Sequence, residues 1–130
     1  MNKFLCTIIV IAFLLGNMGK VLSGETITLT DRDSGKTVGI NVGDELEIVL
    51  RGNPTTGYLW ETDLLDSNIL SHSKSDFLPD TKAMGSGGIE INQFKAIAEG
   101  TSHLKLIFHR PFERNILPLK MFDVVVIIKN

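Results

Sequence analysis

Apolar residues in this sequence recur at every second position and hardly anywhere with a helical period, which restricts the chain to a fold built from strands. Residues 25–30 read Glu-Thr-Ile-Thr-Leu-Thr, an alternation that sets Ile27 and Leu29 on one face. Residues 44–50 turn Leu46, Ile48 and Leu50 inward and Glu45 and Glu47 outward, and residues 101–109 do the same with Leu104, Leu106 and Phe108. Residues 121–128 are a nearly continuous apolar, β-branched run suited to a central strand. Further extended pieces are expected over 36–41, over 58–62, at Phe77 and Leu78, and over 89–98. In the last of these Ile89 and Ile91 fall out of phase with Phe94, Ala96 and Ala98, which implies a bulge near Asn92 and Gln93. Residues 63–70 fit a short helix or an irregular strand, and Glu99-Gly100 reads as a two-residue hairpin turn. Seven to eight short strands with regular turn signals predict an all-β, antiparallel β-sandwich.

The first residues do not belong to that pattern. After Lys3 comes an almost wholly apolar run, 4–15, too short to span a bilayer and followed by Gly16, Asn17, Gly19 and Ser23. This is the form of a secretory signal peptide, residues 1–23, with cleavage expected after Ser23 and Gly19 as the weaker alternative. The mature domain is then 24–130, with no membrane segment. Of 13 Lys and Arg, Lys3 and Lys20 leave with the leader, so 11 basic face 15 acidic residues and the formal charge is −4. No nucleic-acid partner is expected on that balance. The one cysteine, Cys6, leaves as well. The mature chain therefore has no disulfide, thiol nucleophile or thiolate ligand, and must hold together by core packing, which about 100 residues can supply.

Three segments between the strands carry chemistry of their own. The first is Asn53-Pro54-Thr55-Thr56-Gly57-Tyr58-Leu59-Trp60. Pro54 fixes its own φ and keeps Asn53 out of the helical region, Gly57 can take positive φ, and Thr55 and Thr56 bring two stiff hydroxyl side chains and no charge. Asn53-Pro54-Thr55 is no glycosylation acceptor, because proline occupies its middle position. Trp60, inside the following strand, is read as structural core. The second segment, Gly85-Ser86-Gly87-Gly88, has almost no side chain and lets another backbone approach. The third, Arg110-Pro111-Phe112, offers a cation, a rigid kink and an aromatic ring, residue types enriched in binding hot spots. Taken singly, the first and third read better as an ordinary turn and a strand end, and the second equally well as a flexible hairpin tip. If strands alternate in direction, all three loops can share one end of the sandwich.

In this order the three segments closely resemble the signature loops of the chagasin-like inhibitors of papain-family cysteine peptidases, and the resemblance runs through Phe94-Lys95-Ala96 to the last strands. It implies an immunoglobulin-like β-sandwich and a reversible, tight-binding inhibitor, not an enzyme, with papain-like (cathepsin L-type) cysteine peptidases as partners and no cofactor. Carried over residue by residue, it implies a peptidase-binding surface of Asn53, Pro54, Thr55, Thr56, Gly57, Tyr58, Gly85, Ser86, Gly87, Gly88, Arg110, Pro111 and Phe112. Thr55 and Thr56 would face the catalytic Cys and His, Gly85 to Gly88 the non-primed subsites, and Arg110 and Phe112 the opposite side. Many members have Trp where this chain has Phe112, a change that removes an indole N–H and some contact area. A monomer is expected, in the secretory route: secreted or in lysosome-like vesicles, or periplasmic or extracellular in a prokaryote.

Two other readings compete. As an enzyme the chain lacks a convergent site: His103 and His109 lie on one strand about 20 Å apart at roughly 3.3 Å per residue, and His72 has only Ser71 and Ser73 beside it and no placed carboxylate. Asp31 and Asp33, or Asp63 and Asp66, lack the spacing of a calcium loop, so no metal is expected. A secreted immunoglobulin-like binding or adhesion domain, using Tyr58, Trp60 and Phe112 for a protein or carbohydrate ligand, is the alternative function.

Overall fold

The alternating segments become eight strands in a computed structural model that describes residues 24–130. The expected leader and its cleavage point lie outside the described residues. The strands are β1 (Thr26–Leu29), β2 (Thr37–Asn41), β3 (Glu45–Gly52), β4 (Leu59–Leu64), β5 (Leu70–Pro79), β6 (Gly88–Ala96), β7 (Gly100–His109) and β8 (Lys120–Lys129). They form two four-stranded sheets, ordered β1-β3-β6-β5 and β2-β8-β7-β4. The only helical elements among the described residues are two three-residue 3₁₀ turns, Asp31–Asp33 and Pro54–Thr56. An all-β, immunoglobulin-like sandwich is therefore what the period of two produces. Its pairing is antiparallel except at two edges, where β1 runs parallel to β3 and β2 parallel to β8.

The core lies between the sheets and is made of the inward members of each alternation. Leu46, Ile48 and Leu50 of β3 and Phe94 and Ala96 of β6 face Leu104, Leu106 and Phe108 of β7 and Phe122, Val124, Val126 and Ile128 of β8. Each of these side chains larger than Ala96 contributes about 1.5–3 kcal/mol by leaving water, and no disulfide is needed. Strand β8, the most continuous apolar run, is internal to its sheet, between β2 and β7.

Three local expectations are corrected. Strand β6 carries no bulge at Asn92 and Gln93: its pairing with β3 is regular from Lys95 to Gly88, and Gly88, Glu90, Asn92, Phe94 and Ala96 all point inward. Ile89 and Ile91 simply occupy the outer face, and two polar residues take inward positions. The irregularity sits on the partner strand, between His72 and Lys74 of β5. Glu99-Gly100 is not a hairpin turn, because β6 and β7 belong to different sheets. Finally, β5 runs unbroken through the polar residues 71–76, which an edge strand tolerates because most of its side chains face water. Residues 65–69 form the turn before it.

Register places three connections at one end of the sandwich. Gly52 at the end of β3 pairs with Gly88 at the start of β6, and Gly88 pairs with Pro79 at the end of β5. Leu59 at the start of β4 pairs with His109 at the end of β7, and Phe108 pairs with Lys120 at the start of β8. The loops 53–58, 80–87 and 110–119 therefore emerge side by side.

Candidate functional site: three hydrogen-bonded loops

The first loop is a single 3₁₀ turn closed at both ends. Asn53, in extended backbone, caps it: Oδ1 accepts from the Thr55 amide at 3.2 Å, Pro54 occupies the first turn where no amide partner is needed, and Gly57 ends the turn at φ 86°. The backbone closes it further, with the Thr56 amide donating to the Asn53 carbonyl at 3.1 Å and the Gly57 amide to the Pro54 carbonyl at 2.9 Å. Both threonine hydroxyls donate inward as well, Thr55 Oγ1 to Asn53 Oδ1 at 2.6 Å and Thr56 Oγ1 to the Asn53 carbonyl at 2.7 Å. Pro54, Thr55 and Thr56 are exposed, and the loop presents no charge.

The second loop is held by its own small residues. The Asp80 amide donates to the Gly87 carbonyl at 2.9 Å, the Ser86 amide to the Ala83 carbonyl at 3.2 Å, and Ser86 Oγ accepts from the Thr81 amide at 3.3 Å. Gly85 takes φ 78°, which a side chain would resist. Gly85, Ser86 and Gly87 lie on the loop, whereas Gly88 is buried in β6, where a methyl group would collide with the Leu78 carbonyl. At the loop's base Arg51 Nη1 donates to Asp80 Oδ1 at 2.9 Å, and this bond holds the Asp80 carboxyl below its ordinary range. Both side chains are exposed, so the pair orients the loop more than it stabilises the fold.

The third loop returns to the first. Arg110 Nε donates to the Thr56 carbonyl at 3.0 Å, its guanidinium stands 4.4 Å over the Tyr58 ring, and Nη1 reaches Glu113 Oε2 at 3.4 Å. Tyr58 in turn stacks on Phe108 at 5.4 Å, and Phe108 meets Trp60 in a tilted contact at 5.1 Å. Trp60 is buried and donates through Nε1 to the Arg51 carbonyl at 2.9 Å, which pins the two strands flanking the first loop. Phe112 is 71% exposed, yet one ring edge lies 3.0 Å from where a Cβ on Gly57 would stand. Pro111 is exposed beside it.

Across the loops Asn53 Nδ2 donates to the Gly85 carbonyl at 3.0 Å. The first loop is therefore bonded to both neighbours, and apart from Gly88 and the half-buried Tyr58 the residues singled out from the sequence share one surface. Two features escaped sequence reading. Ile116, Leu117 and Leu119 extend the third loop as exposed apolar side chains, recognisable beforehand only from their position between strands. Glu90 is buried behind the first loop, signalled by a polar residue in the inward phase set by Phe94 and Ala96. Among the described residues no cluster of three His, Cys, Asp or Glu could hold a metal. His72 contacts Ser75 Oγ at 3.0 Å and Asn92 Oδ1 at 3.2 Å, not the serines beside it in sequence.

A family model described as chagasin family peptidase inhibitor I42 matches residues 39–126, a span that includes all three loops. Amoebiasin-2 of Entamoeba histolytica is 33% identical over 103 residues, covering 78% of this chain and 84% of that protein. Chagasin of Trypanosoma cruzi is 32% identical over 89 residues, covering 65% of this chain and 81% of its own. The crystal structure of a cysteine protease inhibitor from Entamoeba histolytica matches with a TM-score of 0.73 at 30% identity, over 81% of this chain and 96% of that one.

Proposed function

This chain belongs to the chagasin family of peptidase inhibitors, and from that membership we propose that it is a reversible, tight-binding inhibitor of papain-like cysteine peptidases that fills the active-site cleft with its three loops. The family consists of inhibitors, so the chain is not an enzyme. The observation that carries the reading is the bonding of the first loop to both neighbours, through Asn53 to Gly85 and through Arg110 to Thr56. A surface already fixed in shape loses little entropy on binding.

The same geometry explains how a peptidase would be blocked without cutting its inhibitor. A thiolate attacks a carbonyl that reaches it at about 3–3.5 Å in line. In the first loop the carbonyls of Asn53, Pro54 and Thr56 already accept hydrogen bonds, and turning one of these three toward the thiolate would break the turn or, for Thr56, its tie to Arg110. Thr55 and Thr56 would occupy the space before the catalytic Cys and His, Gly85 to Gly87 would follow the non-primed subsites, and Arg110 and Phe112 would grip the far side. The adhesion alternative loses its aromatic platform, since Trp60 is buried and Arg110 covers Tyr58. We assign the active form to residues 24–130, released from a signal peptide into the secretory route and acting as a monomer.

Titrating residues 24–130 against papain, trypsin and a metallopeptidase tests the reading. Reversible inhibition of papain alone, with the inhibitor recovered at its intact mass, is expected. Equal inhibition of trypsin, or inhibition that requires cleavage of the chain, would overturn it.

A further inference from the structure

Glu90 is the one buried carboxylate behind the first loop, and the surrounding structure is shaped around it. It projects inward from β6, is 8% exposed, and accepts through Oε1 from the Trp60 backbone amide at 3.2 Å. That bond crosses from one sheet to the other, because β6 and β4 belong to different sheets. Its second oxygen, Oε2, is buried without a hydrogen-bond partner. The carboxylate also fills the space where a side chain at position 52 would stand, so any residue other than glycine there would displace it. Gly52 and Trp60 flank the first loop, and Glu90 touches both.

We propose that Glu90 is a positioning residue for the inhibitory face: held between Gly52 and the Trp60 amide, it sets the spacing of the strands that deliver residues 53–58, and its protonation state decides how firmly. This rests on the reading of that loop as inhibitory. As a carboxylate, Glu90 leaves one buried oxygen unpaired, an unfavourable state that is relieved by drawing water into the cleft beside Pro54, Leu59 and Phe77. As a neutral acid it keeps the Trp60 amide on Oε1 and carries no buried charge. Burial accordingly pushes its carboxyl above the ordinary glutamate range, with the Trp60 amide opposing in part.

Among the described residues no charged group bonds to Glu90. From β3 it meets Leu50 and Gly52, while Arg51 turns outward to Asp80. From β4 it meets Trp60, and Glu61 points away to His109. From β5 its register partner is Phe77, and Asp76, which lines the same cleft, pairs with Lys74 at 3.3 Å. On β6 Asn92 faces Ser75 and His72.

Trp60 is the only tryptophan in the chain, so its fluorescence reports on this contact in the free protein. A pH titration of residues 24–130 should show a transition above the ordinary glutamate range. Glu90→Gln should abolish it, while Asp76→Asn and His72→Gln keep it. Inhibition constants for papain, measured in parallel on both sides of the transition, should weaken by roughly threefold or more from acid to neutral pH in the parent relative to Glu90→Gln. An unchanged fluorescence transition in Glu90→Gln overturns the proposal, as does its loss in Asp76→Asn or His72→Gln. Identical pH profiles of inhibition in parent and Glu90→Gln overturn it too. Failure of the parent to inhibit papain at any pH strikes the functional reading instead, and the fluorescence comparison then still tests the clamp.

Discussion

Asn53 donates through Nδ2 to the Gly85 carbonyl at 3.0 Å while its Oδ1 accepts from the Thr55 amide and hydroxyl. One side chain thus shapes its own loop and fixes the next loop against it. An amide is the only side chain of this size with a donor on one arm and an acceptor on the other.

Asn53→Asp keeps the cap on Thr55 and replaces the donor with an anionic oxygen facing the Gly85 carbonyl. The first and second loops should then separate, with papain inhibition weakened by about 1–3 kcal/mol. Because both residues lie outside the core, the melting temperature should change little. Parallel measurement of the inhibition constant and thermal unfolding checks this split.

Gly57→Ala acts through the backbone. The position holds φ 86°, and an added Cβ would press on the Phe112 ring at 3.0 Å and 3.2 Å. Left-handed backbone costs an alanine about 1–2 kcal/mol, which in a domain of about 100 residues lowers the melting temperature by roughly 4–8 °C per kcal/mol. Inhibition should weaken with it, since the ring must move. A variant with unchanged melting temperature would show that the turn can be rebuilt without glycine.

Much of this architecture was legible in the chain because a period of two is a local signal: Leu46, Ile48 and Leu50, or Leu104, Leu106 and Phe108, announce their face without reference to other strands. The division of strands between sheets is not local. Nothing in Glu99-Gly100 distinguishes a hairpin from a crossing between sheets, and the parallel pairing of β1 with β3 depends on residues far apart in sequence. The loops were legible through Pro54, Gly57 and Gly85, whose backbone requirements are written in their covalent structure. The bonds that join them, Asn53 to Gly85 and Arg110 to Thr56, span 32 and 54 positions and are visible only in the fold.

The three loops should also differ in energetic weight. Thr56→Asp places a carboxylate at the loop tip, where the complex would bury it unpaired, so inhibition should fall by several kcal/mol. Arg110→Ala removes the bond to the Thr56 carbonyl and the stacking on Tyr58, a loss of about 1–3 kcal/mol. Phe112→Trp should bind papain at least as tightly as the parent, because the exposed ring has room to grow. Inhibition constants for the three variants test the ordering. Full inhibition by folded Thr56→Asp would remove the first loop from the cleft.

Stability itself should pass through a maximum on the acid side of neutrality, because the perturbed carboxyls pull in opposite directions. Glu90 is raised by desolvation, so the folded state holds its proton more tightly than the unfolded chain does. Its favourable contribution is complete below the ordinary glutamate value of about 4.3 and is lost as pH rises through its higher folded value. Asp33, lowered first by the Thr30 amide, and Asp80, lowered first by Arg51, have the reverse sign. Their contributions are complete above the ordinary aspartate value of about 3.9 and are lost on further acidification. Asp80 is exposed and Asp33 is half-buried at the surface beside the solvated Lys36, so the acid limb should be shallow and the fall toward neutrality should be carried by Glu90. Urea unfolding of residues 24–130 across this range checks the shape. Glu90→Gln should flatten the neutral limb and leave the acid limb in place, and a neutral limb that persists in that variant would locate the titrating group elsewhere.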